Sequence, residues 1–90
     1  MTEFKVRKDT TTNKLATAIV SNMKNMKQLE LSCLGAGTVN QCIKSFITAK
    51  AMAVQIGMTL HIDPIYRNVM IEKDNKEKTL IVFIVTKEED

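Results

Sequence analysis

Leu29, Leu31 and Cys33 alternate with Glu30 and Ser32, and this run leads through Leu34 into Gly35-Ala36-Gly37. From there the chain passes through Thr38 and Asn40-Gln41 onto a long apolar stretch. Alternation at period two reads as a strand, and the stretch that follows reads as a helix. A strand that ends in a Gly-x-Gly turn at a helix N-terminus presents free backbone N–H groups and the positive end of a helix dipole. Phosphate can bind at such a place. The same glycines also let a strand turn sharply and a helix pack close to a sheet. The run is not a dinucleotide fingerprint. Its third glycine is replaced by Asn40, and ninety residues are too few for the doubly wound fold which that motif needs.

The rest of the chain supplies partners for this unit. Phe4 to Lys8 alternates apolar and basic residues, as an edge strand does. Asp9 and Thr10-Thr11-Thr12-Asn13 then stop the strand and start a helix. Between Lys14 and about Asn25 the apolar residues Leu15, Ala16, Ile19, Val20 and Met23 share one face, which predicts an amphipathic helix lying on a core. A second strand covers Gln28 to Leu34. The second helix, about Thr38 to Gln55, keeps its polar residues Gln41, Lys44, Ser45, Thr48 and Gln55 on a narrow stripe interrupted by Met52. Most of its other positions are apolar, from Val39 to Ile56. A helix of that kind is covered on more than one side, and one small domain cannot do so alone. A second copy of the chain is the simplest cover.

Gly57 ends that helix. Thr59 to Ile65 alternates again, with Pro64 marking an edge or a break. A shorter run, Val69 to Glu72, leads into the charged residues Lys73 to Lys78, read as a hairpin tip. The return strand, Thr79 to Thr86, holds six consecutive apolar residues from Leu80 to Val85, which suits a central strand. The order is β-α-β-α-β-β: an α/β two-layer sandwich with helices on one face, forming a single domain over residues 1–90.

Charge and cysteine content narrow the function classes. The tail Glu88-Glu89-Asp90 is acidic, and the seven remaining acids against thirteen bases leave residues 1–87 near +6. A pI of about 9.0 favours an acidic partner, of which nucleic acid is the commonest. Cys33 and Cys42 read as two reduced core thiols. With one histidine, His61, and no Cys-x-x-Cys pair, ligands for a metal are too few, and no cofactor is expected. His61 and Asp63 share a strand face, but no nucleophile or oxyanion turn accompanies them, so the chain is not expected to be an enzyme. The six-residue apolar run is too short to cross a bilayer, and no apolar leader opens the chain. The expected setting is the cytoplasm or nucleus, or the nucleoid in a bacterium, with no membrane partner.

Asn13-Lys14-Leu15 with its helix, the strand into Leu34-Gly35-Ala36-Gly37, Asn40-Gln41 followed by Lys44, and the closing hairpin together resemble the stage V sporulation protein S family. The resemblance covers about residues 4–87. That family is similar in turn to the Alba group of small nucleic-acid-binding proteins, on the strand-to-helix junction Leu31-Ser32-Cys33-Leu34-Gly35. The resemblance implies an initiation-factor C-terminal-domain type of fold: helices on one face of a mixed four-stranded sheet, with the last strand inside it. It also implies a homodimer that grips DNA or RNA with the loop before the first helix and the hairpin between the last two strands. Those places hold Lys8 and Lys14, and Arg67, Lys73, Lys76 and Lys78. Alba proteins commonly carry two basic residues and a proline where this chain has Asn13-Lys14-Leu15, and Asp74 and Glu77 dilute the field of the hairpin.

The candidate nucleic-acid contacts are therefore Lys8, Lys14, Gly35, Gly37, Asn40, Lys44, Arg67, Lys73 and Lys76. Phe46 and Phe83 read as core, which leaves Tyr66 for base stacking, so recognition would rest on backbone contacts with little sequence preference. A dimeric regulatory or protein-interaction module of the same fold is the competing reading. An anion or small-ligand binder at the Gly35–Asn40 turn is a more distant one.

Overall fold

The computed structural model describes residues 2–71, 73 and 76–88. Its elements run β1 (Thr2–Val6), α1 (Thr12–Met23), β2 (Gln28–Cys33), α2 (Ala36–Val54), β3 (Leu60–Ile71) and β4 (Lys76–Lys87). The four strands form one sheet in the order β1-β2-β4-β3. β1 pairs parallel with β2, with Val6 opposite Cys33. β4 runs antiparallel to both neighbours and places Ile81 opposite Cys33. The last strand is thus inside the sheet, as the resemblance implied, and β1 lies at an edge.

The helices cover one face, and the core lies between them and the sheet. The stripe expected on α1, Leu15, Ala16, Ile19, Val20 and Met23, is its buried face. It meets Leu29, Leu31 and Cys33 of β2 and Phe83 and Val85 of β4 in a single cluster. Burying an aliphatic side chain as completely as Ile19, Leu29 or Leu31 stabilises the fold by about 2 kcal/mol each.

α2 differs from its expected pattern at one residue. Ser45, placed above on the polar stripe, is fully buried, and its hydroxyl donates to the Gln41 carbonyl at 2.8 Å. It belongs to a face of Thr38, Cys42, Phe46, Ala49 and Ala53. Mostly small residues there let α2 lie close to its neighbours, and the donation within the helix satisfies the hydroxyl where water cannot reach it. Larger apolar residues of α2 point away from the core instead: Ile47 is 61% and Val54 60% exposed.

Two element boundaries are set by backbone chemistry. Gly57 sits at φ +77°, with its N–H donating to the Val54 carbonyl and the Met58 N–H to the Ala53 carbonyl at 2.9 Å. That is the Schellman closure of a helix. β3 is one continuous strand of twelve residues, not two runs separated by a break. Pro64 is accommodated because β3 is the outer strand, so the missing N–H costs no ladder bond. The charged tip is correspondingly shorter than expected, since β4 already begins at Lys76. Glu72, Asp74, Asn75, Glu89 and Asp90 lie outside the described residues, and with them one of the two acids expected at the tip and most of the acidic tail.

The sheet face away from the helices carries the Glu30 carboxylate, which alternates with the inward Leu29 and Leu31. It accepts two hydrogen bonds from Arg67 of β3, at 2.7 and 2.8 Å, and Glu3 stands 4.0 Å from the same guanidinium. Hydrogen bonding from Arg67 holds the Glu30 pKa below its ordinary 4.5 against the opposing effect of burial, with the charge of Arg67 adding to it. A depressed carboxylate pKa contributes stability that is present above pH 4.5 and is lost as pH falls through the lower, folded value. The wild-type melting temperature should therefore drop on acidification below pH 4.5. Arg67→Gln should melt several degrees lower at neutral pH and lose less over the acid window. Equal acid limbs in thermal melts of the two proteins would show that the pair does not couple to folding.

Candidate nucleic-acid interface

The strand registers decide which residues meet. β1 and β2 are parallel and end side by side at Val6 and Cys33, so the loop into α1 and the turn into α2 leave the sheet at the same end. β4 passes Cys33 at Ile81, and its residues 76–80 pair only with residues 67–71 of β3. These five pairs form a two-stranded ribbon that projects roughly 16 Å beyond the end of β2. It projects from the same end that carries both helix N-termini.

Lys8 lies in the loop between β1 and α1, which is closed by two hydrogen bonds between Arg7 and Thr10. The Arg7 N–H donates to the Thr10 hydroxyl at 2.8 Å, and the Thr10 N–H to the Arg7 carbonyl at 3.1 Å. Gln41 of α2 holds this loop from the other side. Its amide donates to the Thr10 carbonyl at 2.6 Å and to the Thr12 hydroxyl at 2.9 Å. The aliphatic stem of Lys8 runs over Gly37, where a Cβ would meet Lys8 Cγ at 3.6 Å. The ammonium group is thereby delivered beside the start of α2.

Gly35 is the turn itself, at φ +94° and ψ 154°, a conformation essentially reserved for glycine. The helix begins at Ala36, so Gly37 is a residue of its first turn and not part of the turn before it. That first turn has no side-chain cap and no acidic residue. Thr38 is turned inward, its hydroxyl donating to the carbonyls of Leu34 and Gly35 at 2.9 and 2.8 Å. The amides of Ala36, Gly37 and Thr38 precede the first intrahelical bond, which runs from the Val39 N–H to the Gly35 carbonyl. Asn40 and Lys44 are exposed and lie one turn apart down the same helix. Lys14 is exposed in the first turn of α1.

Lys8, Gly35, Gly37 and Asn40 are thus gathered at the start of α2, Lys14 stands in the first turn of the neighbouring α1, and Lys44 follows roughly 12 Å further down α2. Three ammonium groups and free helix N–H groups in that arrangement can donate to anionic oxygen. The hairpin residues divide differently. Lys73 is exposed in the turn of the ribbon. Lys76 alternates with Lys78 and Leu80 and so shares the face that looks away from the helices. Arg67 points to that face too and is occupied by Glu30 and Glu3. It does not join Lys14 and the glycine turn, and the expectation of a free Arg67 arm is corrected accordingly. Tyr66 is 80% exposed on the outer strand, while Phe46 and Phe83 are core.

The contacts that sequence reading missed are non-local. Gln41 reaches a loop about thirty residues earlier in the chain. Lys87 donates to the Met23 carbonyl at 2.8 Å and to the Lys24 carbonyl at 3.4 Å, closing the C-terminus of α1. The one available signal was Glu30, a carboxylate isolated between two inward leucines and in need of a cation.

Among solved structures, Alba from Thermoplasma volcanium shares the fold, with a TM-score of 0.61 at 11% sequence identity over 97% of this chain and 99% of that one. The stage V sporulation protein S (SpoVS) family matches residues 2–88, nearly the whole sequence. This chain belongs to the stage V sporulation protein S family.

Proposed function

We propose that this protein is a small, basic, dimeric nucleic-acid-binding protein that acts by binding and not by catalysis. The observation that carries this reading is the placing of Lys8, Lys14 and the uncapped start of α2, with Lys44 further down that helix, at the end from which the β3–β4 ribbon projects. A phosphate backbone supplies anionic oxygens at regular intervals, and these donors are of the type that meets them. With Tyr66 as the one strongly exposed aromatic among the described residues, stacking contributes little and sequence preference is weak. The Alba protein to which the fold is similar comes from a group expected above to grip nucleic acid, which supports the same reading.

The second copy covers the outward side of α2. Ile47, Val54 and Ile56 are each more than half exposed, and Ile47 and Val54 are two helical turns apart on one stripe. An isolated domain leaves that stripe in water, whereas a symmetric pair buries it twice. Ile47→Glu should weaken self-association by about tenfold or more, because it places a carboxylate in the seam. Sedimentation of the unmodified protein as a monomer at high micromolar concentration would refute the dimer.

The competing reading, a regulatory or protein-interaction module without useful nucleic-acid affinity, draws on the pairing of Arg67 with Glu30 and on Glu77 in the ribbon. Salt-dependent titrations against duplex DNA, single-stranded DNA and RNA separate the two. Lys14→Ala should weaken binding and flatten the slope of log affinity against log salt by about 0.9 per duplex site. Lys24→Ala should leave it unchanged, because Lys24 lies beyond the other end of α1.

The ribbon is tested separately. Lys73→Glu with Lys76→Glu should cost more affinity than Arg67→Gln, whose guanidinium is already engaged. Titrations identical for all these proteins and free of salt dependence would make the interaction module the leading reading.

A further inference from the structure

Cys33 and Cys42 stand on either side of the Gly35 turn and are 2% and 1% exposed, both as free thiols. Backbone geometry explains why they meet. From Gly35 the strand runs back about 7 Å to Cys33, and α2 descends about 10 Å to Cys42. Both side chains point into the same core, so they sit at similar depth, and each governs the proton of the other. Hydrogen bonding from Cys42 holds the Cys33 thiol below its usual pKa, although burial opposes this. The same contact, with burial and the charge of Cys33 adding to it, pushes Cys42 up. Of the two thiols, Cys33 is thus the one that ionises more readily.

Cys33 is also among the residues that line a surface groove between the start of α2 and the root of the ribbon, with Gly35, Val39, Asn40, Thr79 and Ile81. The positive end of the α2 dipole lies beside it, and such an end favours a thiolate. Cys33 is only 2% exposed, but it borders this groove and has a second thiol as its neighbour.

We propose that Cys33 and Cys42 form a peroxide-reactive dithiol that closes to an intramolecular disulfide beneath the Gly35 turn. The Cys33 thiolate attacks one oxygen of hydrogen peroxide, the O–O bond breaks, and the leaving hydroxide takes a proton to become water. The product is a sulfenic acid on Cys33. The Cys42 sulfur then attacks the Cys33 sulfur, the S–O bond breaks, and the hydroxyl leaves as a second water with the proton from Cys42. Two thiols are oxidised by two electrons, and one peroxide is reduced to two waters. The bond ties the last residue of β2 to the second turn of α2, and a dithiol reductant reverses it.

The test treats the intact protein with hydrogen peroxide, quenches, unfolds it and alkylates the remaining thiols. The expected result is a loss of about 2 Da, no alkylation, and a Cys33–Cys42 cross-linked peptide that dithiothreitol removes. In Cys42→Ser, a 1,3-dione that traps sulfenic acids should label Cys33, and in Cys33→Ser it should leave Cys42 unlabelled. Full alkylation of both thiols after peroxide overturns the proposal. So does a sulfenic acid on wild-type Cys33 that never proceeds to the disulfide, or preferential labelling of Cys42. The wild-type mass measurement decides even if a serine variant folds poorly, and none of these readouts depends on nucleic-acid binding.

Discussion

The parallel pairing of β1 with β2, in the register that sets Val6 opposite Cys33, determines where everything else goes. Two strands that end level and are each followed by a helix deliver both helix N-termini to the same end of the sheet. Because β4 runs antiparallel between β2 and β3 and meets Cys33 at Ile81, its residues 76–80 extend past that end. A shift of one residue in either pairing would turn Leu29, Leu31 and Cys33 to water and Glu30 into the core, so burial enforces the register. The positions of Lys8, Lys14 and the ribbon are by-products of that hydrophobic requirement.

The formal charge of the chain overstates what is free to act at a distance. Arg67 is engaged by two carboxylates on the bare face of the sheet. Lys87 is spent on the last carbonyls of α1, where a cation also meets the negative end of the helix dipole. The lysines at the α2 end have no such engagements among the described residues. Net charge read from sequence treats all these cations alike, and the fold sorts them into structural and available groups.

How far the sequence foretold this depends on the range of the interaction concerned. The buried face of α1 was legible because Leu15, Ala16, Ile19, Val20 and Met23 repeat at helical spacing, and β4 was legible as central from its unbroken apolar run. The continuity of β3 was not, since Pro64 breaks a strand or marks an edge according to which way its missing N–H points, and that depends on strand order. Ser45 was misplaced because a hydroxyl that donates within its own helix can be buried as readily as alanine. Of the candidate contacts, those carried by the junction of β2 and α2 came from local pattern and are found together. Arg67 was assigned by its place in the hairpin, and strand alternation with a partner thirty-seven residues away decided its face.

Pro64 has one further consequence. β3 is a twelve-residue outer strand, long enough to template pairing with another chain along its whole free side. The imino ring removes a donor from the outward row and fills the space a fifth strand would need, dividing that side into two short segments. The opposite edge, β1, is only five residues long and carries Lys5. Both flanks of the sheet thus resist lateral growth into fibres, so the protein can carry a sticky helical face without a second, open-ended route to polymerisation.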